Sequence, residues 1–371
     1  MKNKLIIILF CAFLLAGAVW EILLPDKYYS EREKRLLTQV SDVLDTQITS
    51  GKMASKAEKY LTDQFPQRDA LVALHTLSER LLGKQESNHV FWGRDHYLIE
   101  CFDSYDEEQY RKNIDTVKRF TDAMQQEDIP VRVMLIPTAV EILSEKLPAF
   151  ATHASQRDMF SQAEAAGLPV VDTINVLERH KEEYIYYRTD HHYTSLGAYY
   201  CYAAWKQAKG EKASSLTGQN DAADAWKEKI LCDDFFGTTY NKVNAPFAVA
   251  DTITAYYRKE NHEVSYNNGN YETDSIYEQK YLEGKDQYAV FLNSNQATTV
   301  VKGDGEGKLL IIKDSYANCL AQFVVDEYEE THMLDLRFYK NSVSDYIRDN
   351  GITEVLFLYS IPDFAEMNLN L

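Results

Sequence analysis

The sequence lacks the closely spaced cysteines that mark zinc sites. Its 371 residues include five cysteines, and none of them forms a CxxC pair. Cys11 lies in an apolar N-terminal run, and the others are scattered along the chain at Cys101, Cys201, Cys232 and Cys319. Their even number would permit disulfides in an exported domain, but small buried apolar side chains are the better interpretation for most of them. Cysteine spacing therefore predicts no metal centre.

Basic residues are scarce relative to acidic ones. Lysine and arginine number 39 against 57 aspartates and glutamates, which gives a formal net charge of -18. Such a surface repels a nucleic-acid backbone and no basic stripe stands out against it, so no nucleic-acid partner is expected. Internal repeats and low-complexity segments are lacking too. With 45% hydrophobic residues, the chain is long enough for one large globular domain or two modest ones.

The longest apolar run lies at the N-terminus. Lysines precede it, and it extends from Leu5 to Val19 and resumes after Glu21. A lysine flank of this kind predicts that the N-terminal end stays in the cytoplasm while the rest is exported. The run is either a retained membrane anchor over residues 1–25, which we favour, or a signal peptide cleaved near Ala16-Gly17-Ala18. The protein is therefore expected outside the cytoplasm, anchored by this segment or secreted if it is cleaved.

Two regions follow the N-terminal run. Residues 26–89 are charged, and helical spacing of apolar residues predicts helices at Glu31–Leu44, Met53–Tyr60 and Arg68–Leu82, with Asp63 as a cap. Residues 90–371 begin with an expected hairpin and then alternate helices with short apolar strands, a pattern that predicts a doubly wound α/β sheet. The hairpin strands are expected at Val90–Gly93 and Tyr97–Ile99, and the later strands at Val131–Ile136, Pro169–Val171, Lys308–Ile312, His332–Asp335 and Val355–Tyr359.

The segment at about 210–303 interrupts this alternation. Antiparallel strands are expected at Thr252–Tyr257, Val264–Tyr266 and Tyr288–Leu292, joined by turns such as Asn267-Asn268-Gly269-Asn270. The pattern predicts a β-rich insertion, or a flap over the sheet.

Two distant segments carry groups suited to acyl transfer. Ser315 follows an apolar strand, and ligands of open α/β sheets bind beyond the carboxyl ends of the strands. Asp190 and His192 are two residues apart, so in an extended chain their side chains share one side while His191 points away. Nucleophilic acyl transfer needs a hydroxyl, an imidazole that takes its proton and a carboxylate that orients the imidazole. We therefore interpret Ser315 as the nucleophile, His192 as the base and Asp190 as the orienting acid.

Each of these residues also has a plainer interpretation. Asp314 or Ser315 would serve as a helix cap, because both residue types are favoured there. His192 would be a structural histidine, or Asp190, His191 and His192 would bind a metal. Adjacent histidines splay apart in a strand, however, and no further cluster of His or Glu completes such a ligand shell. No metal and no cofactor is therefore expected.

The segment from Tyr186 to Tyr199, with Asp190-His191-His192-Tyr193 at its centre, resembles the signature of the bacterial DHHW protein family. That family is similar to the SGNH-like domains of alginate O-acetyltransferases. Further stretches agree with the resemblance: Tyr29-Ser30-Glu31, Asp63-Gln64-Phe65-Pro66-Gln67-Arg68-Asp69, Phe236-Gly237-Thr238, Lys313-Asp314-Ser315-Tyr316-Ala317-Asn318 and Asp335-Leu336-Arg337-Phe338-Tyr339. The resemblance thus covers nearly all of the chain beyond the N-terminal run.

The resemblance implies an SGNH-hydrolase-like sheet and a Ser-His-Asp triad made of Ser315, His192 and Asp190. It implies an exported, serine-dependent O-acyltransferase or esterase that acts on cell-surface polysaccharide. The second partner would be an acyl donor or an acyl-donating membrane protein. Candidates for substrate binding are Tyr193, Tyr316, Arg337 and Thr138. For Arg337, a structural ion pair with Asp335 or another acid is an equal alternative.

The chain departs from the family pattern at a few positions. Tyr193 replaces a tryptophan, and its ring is expected to keep a packing or sugar contact. The family often has two glycines near Asn293-Ser294-Asn295, and their absence here puts a tight backbone turn in question. Gln322 replaces a common proline, with little expected effect. These departures keep a second function open, a non-catalytic scaffold or carbohydrate-binding module of the same fold in a surface-polymer assembly.

Overall fold

The computed structural model describes residues 2–30, 35–45, 52–216, 226–284, 286–369 and 371. The chain divides into two compact units. The first comprises residues 1–88 and 241–246, and the second comprises residues 89–240 and 247–371. The second unit contains Asp190, His192 and Ser315, the residues with predicted catalytic roles.

The first unit is mainly helical. Its helices are Lys2–Leu23, Val40–Leu44, Lys52–Gln64 and Arg68–Leu81, and its short strands are Tyr29–Ser30, Arg35–Leu36 and Glu86–Ser87. Tyr29–Ser30 pairs antiparallel with Arg35–Leu36, so the long helix expected over Glu31–Leu44 is wrong, and residues 31–34 lie outside the described residues. Asp63 lies inside a helix and accepts a hydrogen bond from the Thr38 N–H at 2.9 Å, instead of capping the next helix.

The N-terminal run forms a helix over Lys2–Leu23. Within the described part of the chain, no helix combines the length and the apolar character that crossing a membrane requires. The membrane helix expected at the N-terminus is therefore not found.

A mixed sheet of seven strands forms the centre of the second unit. In spatial order, the strands are Tyr271–Thr273, Val264–Tyr266, Thr298–Lys302, Glu330–Leu334, Lys308–Lys313, Glu354–Ser360 and Val131–Ile136. The last four in this order are parallel, and the first four are joined by antiparallel pairing. Nearly every residue of Lys308–Lys313 and Val131–Ile136 is buried, as expected for strands of a parallel sheet that is covered on both faces.

Helices of the second unit connect these strands. They are Glu107–Gln126, Ala139–Ile142, Gln156–Ala165, Thr173–Arg179, Ser195–Ala208, Tyr316–Leu320, Val343–Asn350 and Ile361–Glu366, and the helix Thr238–Val243 begins in this unit. Thr194 caps Ser195–Ala208, because its side chain accepts a hydrogen bond from the Gly197 N–H. Gly351 ends Val343–Asn350 with a left-handed φ of 65°, which a glycine adopts without strain.

Among the described residues of the second unit, two antiparallel strand pairs lie outside the main sheet. Val90–Trp92 pairs with Leu98–Glu100, which confirms the expected hairpin. Lys227–Phe235 pairs with Asp251–Tyr257. Other parts of the segment expected as an insertion, Val264–Tyr266 and Thr298–Lys302, instead extend the main sheet. The fold is thus mixed α/β with several sheets, and antiparallel strands from the segment expected as an insertion share the main sheet with the parallel strands.

The strand expected over Tyr288–Leu292 is wrong. Gln287–Val290 forms a turn of 3-10 helix, and after the extended Phe291 three residues take left-handed backbone conformations: φ is 54° at Leu292, 54° at Asn293 and 66° at Ser294. A short apolar run is compatible with a buried turn as well as with a buried strand, so the sequence pattern did not separate the two.

The apolar side chains of the second unit form one contiguous core. Cys201 and Cys319 are buried in it, and none of the five cysteines forms a disulfide. Most of the aromatic residues near the predicted triad also lie in this core, which makes the surroundings of the candidate site rigid.

Candidate active site

Ser315 lies between the strand Lys308–Lys313 and the helix Tyr316–Leu320. Its side chain makes no capping hydrogen bond. The preceding Asp314 takes that role, since its carboxylate accepts hydrogen bonds from the Tyr316 N–H at 2.9 Å and the Ser360 N–H at 2.7 Å. Asp314 therefore holds the turn against the end of the neighbouring strand, and the Ser315 hydroxyl is available for another partner.

That partner is His192. Ser315 Oγ lies 2.7 Å from His192 Nε2, and His192 Nδ1 lies 2.5 Å from Asp190 Oδ1. The serine is separated from the histidine by 123 residues in sequence. The three side chains thus meet in the order hydroxyl, imidazole, carboxylate that acyl transfer requires.

The carboxylate of Asp190 is held by the segment Phe236-Gly237-Thr238. Asp190 Oδ2 accepts hydrogen bonds from the Thr238 N–H at 2.8 Å and from the Thr238 hydroxyl at 3.0 Å. A Cβ placed on Gly237 would lie 2.2 Å from the Asp190 Cβ, so only glycine fits this close approach. This segment is one of the stretches that carry the family resemblance, and no role was predicted for it.

A second carboxylate, Asp251, supports the loop that carries the triad acid. Asp251 is buried and accepts hydrogen bonds from the Arg188 N–H at 2.9 Å and the Thr189 N–H at 2.7 Å. The Tyr184 hydroxyl also donates to it. Sequence reasoning missed Asp251, because its link to this loop spans more than sixty residues and no local pattern marks it.

The imidazole of His192 has a ring neighbour on each side. The Tyr288 ring stacks on it at 3.8 Å between centroids with an interplanar angle of 10°. The His191 ring lies 3.9 Å away, tilted by 36°. His191 was expected to point away, but residues 188–192 bend instead of extending as a strand, which brings the adjacent ring alongside. Its Nδ1 lies 2.6 Å from the Thr238 hydroxyl.

Burial sets the protonation of these groups. Burial, and then the neighbouring His191, lower the pKa of His192 to about 4, although Asp190 opposes this. Burial alone would raise the pKa of Asp190, but the charges of His192 and His191 hold it well below its usual range. At neutral pH the arrangement therefore contains a neutral imidazole and an ionised carboxylate, which are the states a general base and its orienting acid need.

The alternative role for this part of the site is metal binding by Asp190, His191 and His192. The donor atoms of Asp190, His191 and His192 lie within 4.8 Å of one another. Asp190 already binds His192 and Thr238, however, and the ring nitrogens of His192 already contact Asp190 and Ser315. A metal would have to break these contacts, so the geometry favours proton transfer over metal binding.

The four candidates for substrate binding occupy different environments. Thr138 lines a cavity of about 90 Å³ together with His191 and Tyr316. Tyr193 and Tyr316 are almost fully buried, and the Tyr193 hydroxyl donates to the Tyr316 carbonyl at 2.7 Å. Of the packing or sugar contact expected for the Tyr193 ring, the structure therefore shows packing. Arg337 forms a two-pronged ion pair with Asp335, with contacts of 2.9 Å and 2.6 Å, which is the structural alternative weighed for it.

The turn at Asn293–Asn295 is tight even without glycine. The left-handed residues before Asn295 direct this turn towards the nucleophile segment, where Asn295 Oδ1 accepts a hydrogen bond from Lys313 Nζ at 3.1 Å. Asn318 Nδ2 donates to the Ser294 carbonyl at 3.3 Å. Burial lowers the pKa of Lys313 to about 8, against the opposing charge of Asp335. Asparagine tolerates the left-handed region better than most residues, which makes the turn possible here.

A serine that contacts a histidine–aspartate pair beyond the end of a strand in a mixed α/β unit is typical of proteins with nucleophilic chemistry. The sequence model of the DHHW protein family matches residues 100–334. The chain therefore belongs to the DHHW protein family, as the Asp190-His191-His192-Tyr193 signature predicted.

Several solved structures are similar to this chain. A DHHW family protein from Eubacterium siraeum DSM 15702 has 25% identity and a TM-score of 0.61, over 76% of this chain and 94% of that chain. Bacillus cereus PatB1, in a structure with a sulfonyl adduct, has 19% identity and a TM-score of 0.62, over 76% of this chain and 97% of that chain. The O-acetyltransferase domain of Pseudomonas putida AlgJ has 15% identity and a TM-score of 0.49, over 76% and 93%. No curated protein matches the chain.

Proposed function

We propose that this protein is a serine-dependent O-acyltransferase or esterase that acts on cell-surface polysaccharide. The observation that carries the proposal is the continuous contact from Ser315 Oγ through His192 to Asp190, at 2.7 Å and 2.5 Å. Membership of the DHHW family supports it. In this proposal Ser315 is the nucleophile, His192 the general base and Asp190 the acid that orients the imidazole.

The first step transfers an acyl group to the enzyme. The Ser315 hydroxyl proton moves to His192 Nε2 while Oγ bonds to the carbonyl carbon of an acyl donor. The negative charge that develops on the carbonyl oxygen is stabilised by the Ser315 N–H and neighbouring donors. Collapse of this intermediate breaks the bond to the leaving group, which takes the proton from His192, and an acyl-serine remains.

The second step releases the acyl group. A sugar hydroxyl, or water, gives its proton to His192 Nε2 and attacks the acyl-serine. The proton then returns to Ser315 Oγ as the serine leaves. Transfer to sugar needs water to be excluded from the acyl-serine, whereas hydrolysis does not. The deep burial of His192, whose side chain is 5% exposed, supports transfer, because few water molecules reach the base.

The partners follow from this chemistry. The acceptor is a polysaccharide hydroxyl, and the donor is an activated acyl compound or a membrane protein that delivers one. The lysine-flanked apolar run at Leu5 to Val19 supports export, so that the protein would meet polymer outside the cytoplasm. Within the protein, the proposed reaction uses side chains and backbone N–H groups and needs no cofactor.

Hydrolysis of a chromogenic acetyl ester tests the nucleophile. We expect Ser315→Ala to lose at least about 10³-fold in kcat/KM, because the acyl-enzyme cannot form. Ser104→Ala is the matched control, because Ser104 is exposed and lies outside the contacts described above. Equal rates for the wild type and Ser315→Ala would overturn the assignment and favour the non-catalytic scaffold of the same fold.

A covalent probe gives a second readout that does not depend on a substrate. PatB1 was solved with a sulfonyl adduct, so a sulfonyl fluoride is a suitable reagent for this chain. We expect the adduct mass on the peptide that contains Ser315, at a rate that falls when His192 is replaced by glutamine. Labelling that persists in Ser315→Ala would place the reactive hydroxyl elsewhere.

A further inference from the structure

Among the described residues, Tyr288 alone has both a ring contact with the proposed base and a hydrogen bond to the proposed nucleophile. Its ring stacks on the His192 imidazole at 3.8 Å with an interplanar angle of 10°. Its hydroxyl donates to the backbone carbonyl of Ser315 at 3.1 Å. His192 and Ser315 are separated by 123 positions in sequence, so Tyr288 connects two chain segments at the pair of residues between which the proton would move.

The stacked ring and the His191 ring occupy opposite faces of the imidazole. Both lie less than 4 Å from its centroid, and two rings at that distance cannot share one face without overlapping. The edge of the imidazole is held by Asp190 and Ser315. His192 therefore has little freedom to tilt or to rotate about its side-chain bonds.

Tyr288 is itself held firmly. It is 6% exposed, and its ring packs edge-on against Tyr187 at 6.4 Å and Phe291 at 5.4 Å. The turn that carries it is closed by a hydrogen bond from the Ser294 N–H to the Ala289 carbonyl at 3.2 Å. Because its own neighbours hold the Tyr288 side chain in place, it can in turn hold in place the groups that it contacts.

We infer that Tyr288 is a positioning residue, whose ring fixes the plane of the His192 imidazole and whose hydroxyl fixes the Ser315 backbone. This inference rests on the proposed function, because it assigns the two contacts a role in proton transfer between Ser315 and His192. Displacements of about 1 Å in such a pair can cost about 10²-fold in rate. The rigid Tyr288 side chain would prevent such displacements of Ser315 and His192.

Removal of the ring should also change the titration of His192. The groups that face this imidazole are Asp190 and His191 from its own segment, Ser315 and Tyr316 from the nucleophile segment, Tyr288 from the turn, and Asp363 at longer range. Burial is the largest cause of the lowered pKa of His192, and the Tyr288 ring provides the cover on one face. Water that replaced the ring would stabilise the protonated imidazole.

Three variants separate the two contacts: Tyr288→Leu removes the ring, Tyr288→Phe removes only the hydroxyl, and Tyr110→Phe is the control. Tyr110 is also a buried tyrosine whose hydroxyl donates to a backbone carbonyl, that of Met159 at 2.6 Å, but it contacts neither Ser315 nor His192. The readouts are ester hydrolysis across pH and the titration of the His192 imidazole by NMR.

For Tyr288→Leu we expect the pKa of His192 to rise from about 4 towards its ordinary value of 6.5. The base works unprotonated, so the loss of activity on acidification should move to higher pH by the same amount. For Tyr288→Phe we expect kcat to fall about threefold to tenfold with the acidic limb unmoved, since the ring remains.

Two results would overturn the inference. One is an unmoved His192 titration in folded Tyr288→Leu. The other, which also decides the matter if the leucine variant does not fold, is a Tyr288→Phe variant with the same kcat as Tyr110→Phe. If the wild type hydrolyses no ester, the proposed function fails, but the NMR titration still reports whether the Tyr288 ring shields His192.

Discussion

At the scale of single residues, His192 is held at both ring nitrogens and on both faces. Asp190 and Ser315 contact the nitrogens, and the rings of Tyr288 and His191 cover the faces. The resulting burial keeps the pKa of His192 at about 4, so the imidazole is neutral at the pH of most cell surfaces. A neutral imidazole accepts a proton without first having to lose one, which is the condition for a base that acts on a serine hydroxyl.

The carboxylate of Asp190 leads to a prediction at this scale. Asp190→Asn keeps the size of the side chain, but an amide does not stabilise the imidazolium that forms when His192 takes the serine proton. We expect kcat for ester hydrolysis to fall by roughly 10⁴-fold with little change in KM. Asp122→Asn, at an aspartate whose side chain is 55% exposed on a helix, should leave kcat unchanged. A loss below about tenfold in Asp190→Asn would mean that Asp190 does not orient the base.

The sequence predicted roles for Ser315, His192 and Asp190 because each belongs to a local pattern. Ser315 follows an apolar strand, and Asp190 and His192 are two residues apart. Tyr288 was missed for a physical reason. Its stacking partner is distant in sequence, and the run Tyr-Ala-Val-Phe-Leu fits a buried strand as well as a buried turn. The orientation of His191 was wrong because the prediction assumed an extended chain, whereas the segment bends to place Asp190 against Thr238.

At the scale of elements, the turns at Ser315 and Gly237 in the site each follow a strand. The strand Lys308–Lys313 ends at Asp314, which binds the backbone of the next parallel strand at Ser360 and so fixes the turn at Ser315. The central parallel strands were predictable because strands buried on both faces read as continuous apolar runs. The antiparallel strand Val264–Tyr266 was also expected, but its place in the main sheet was not, because nothing local shows that it pairs with Thr298–Lys302.

The turn at Gly237 gives a prediction for this scale. Gly237→Ala would place a Cβ 2.2 Å from the Asp190 Cβ and 2.3 Å from Oδ2, so either Asp190 or the Thr238 turn must move. We expect a loss of about 1–3 kcal/mol in the free energy of unfolding, together with lower esterase activity, because the hydrogen bonds from Thr238 are disturbed. Both quantities are measured on the same preparation by chemical denaturation and by ester hydrolysis.

A matched glycine provides the control for that substitution. At Gly284 the nearest atom to an added Cβ is the Tyr281 carbonyl oxygen at 3.5 Å, which is an ordinary contact. Gly284→Ala should therefore change the free energy of unfolding by less than about 1 kcal/mol and leave activity intact. If Gly237→Ala behaved like Gly284→Ala, the close approach would not constrain Asp190.

At the scale of the whole molecule, the chain is acidic and rich in tyrosine, with a net charge of -18 and 26 tyrosines. Burial raises the pKa of many of these phenols above the usual value of 10.0, to about 12 at Tyr97 and Tyr256 and further at Tyr187 and Tyr359. These buried tyrosines are therefore neutral phenols in the folded second unit. Ionised phenols would add buried negative charge to a molecule that already repels itself.

This burial predicts a loss of stability in alkali. A folded-state pKa above the unfolded value means that the stabilising contribution is complete below about pH 10 and is lost as the pH rises through the folded pKa. We expect the free energy of unfolding to fall as the pH rises from about 10, where the unfolded chain ionises its tyrosines, to about 12, the folded pKa of Tyr97 and Tyr256. Chemical denaturation, followed by near-ultraviolet circular dichroism and tyrosinate absorbance, measures it.

Tyr359 and Tyr110 make this prediction specific. The Tyr359 hydroxyl is buried with no hydrogen-bond partner among the described residues, whereas the Tyr110 hydroxyl donates to the Met159 carbonyl at 2.6 Å. Tyr359→Phe removes both an unsatisfied polar group and a titrating one, so it should raise the neutral-pH free energy of unfolding by about 1 kcal/mol and lessen the alkaline loss. Tyr110→Phe should lower the neutral value by about 1 kcal/mol, since a satisfied hydrogen bond is removed. The same alkaline profile in the wild type and Tyr359→Phe would show that the titration of this buried phenol does not contribute.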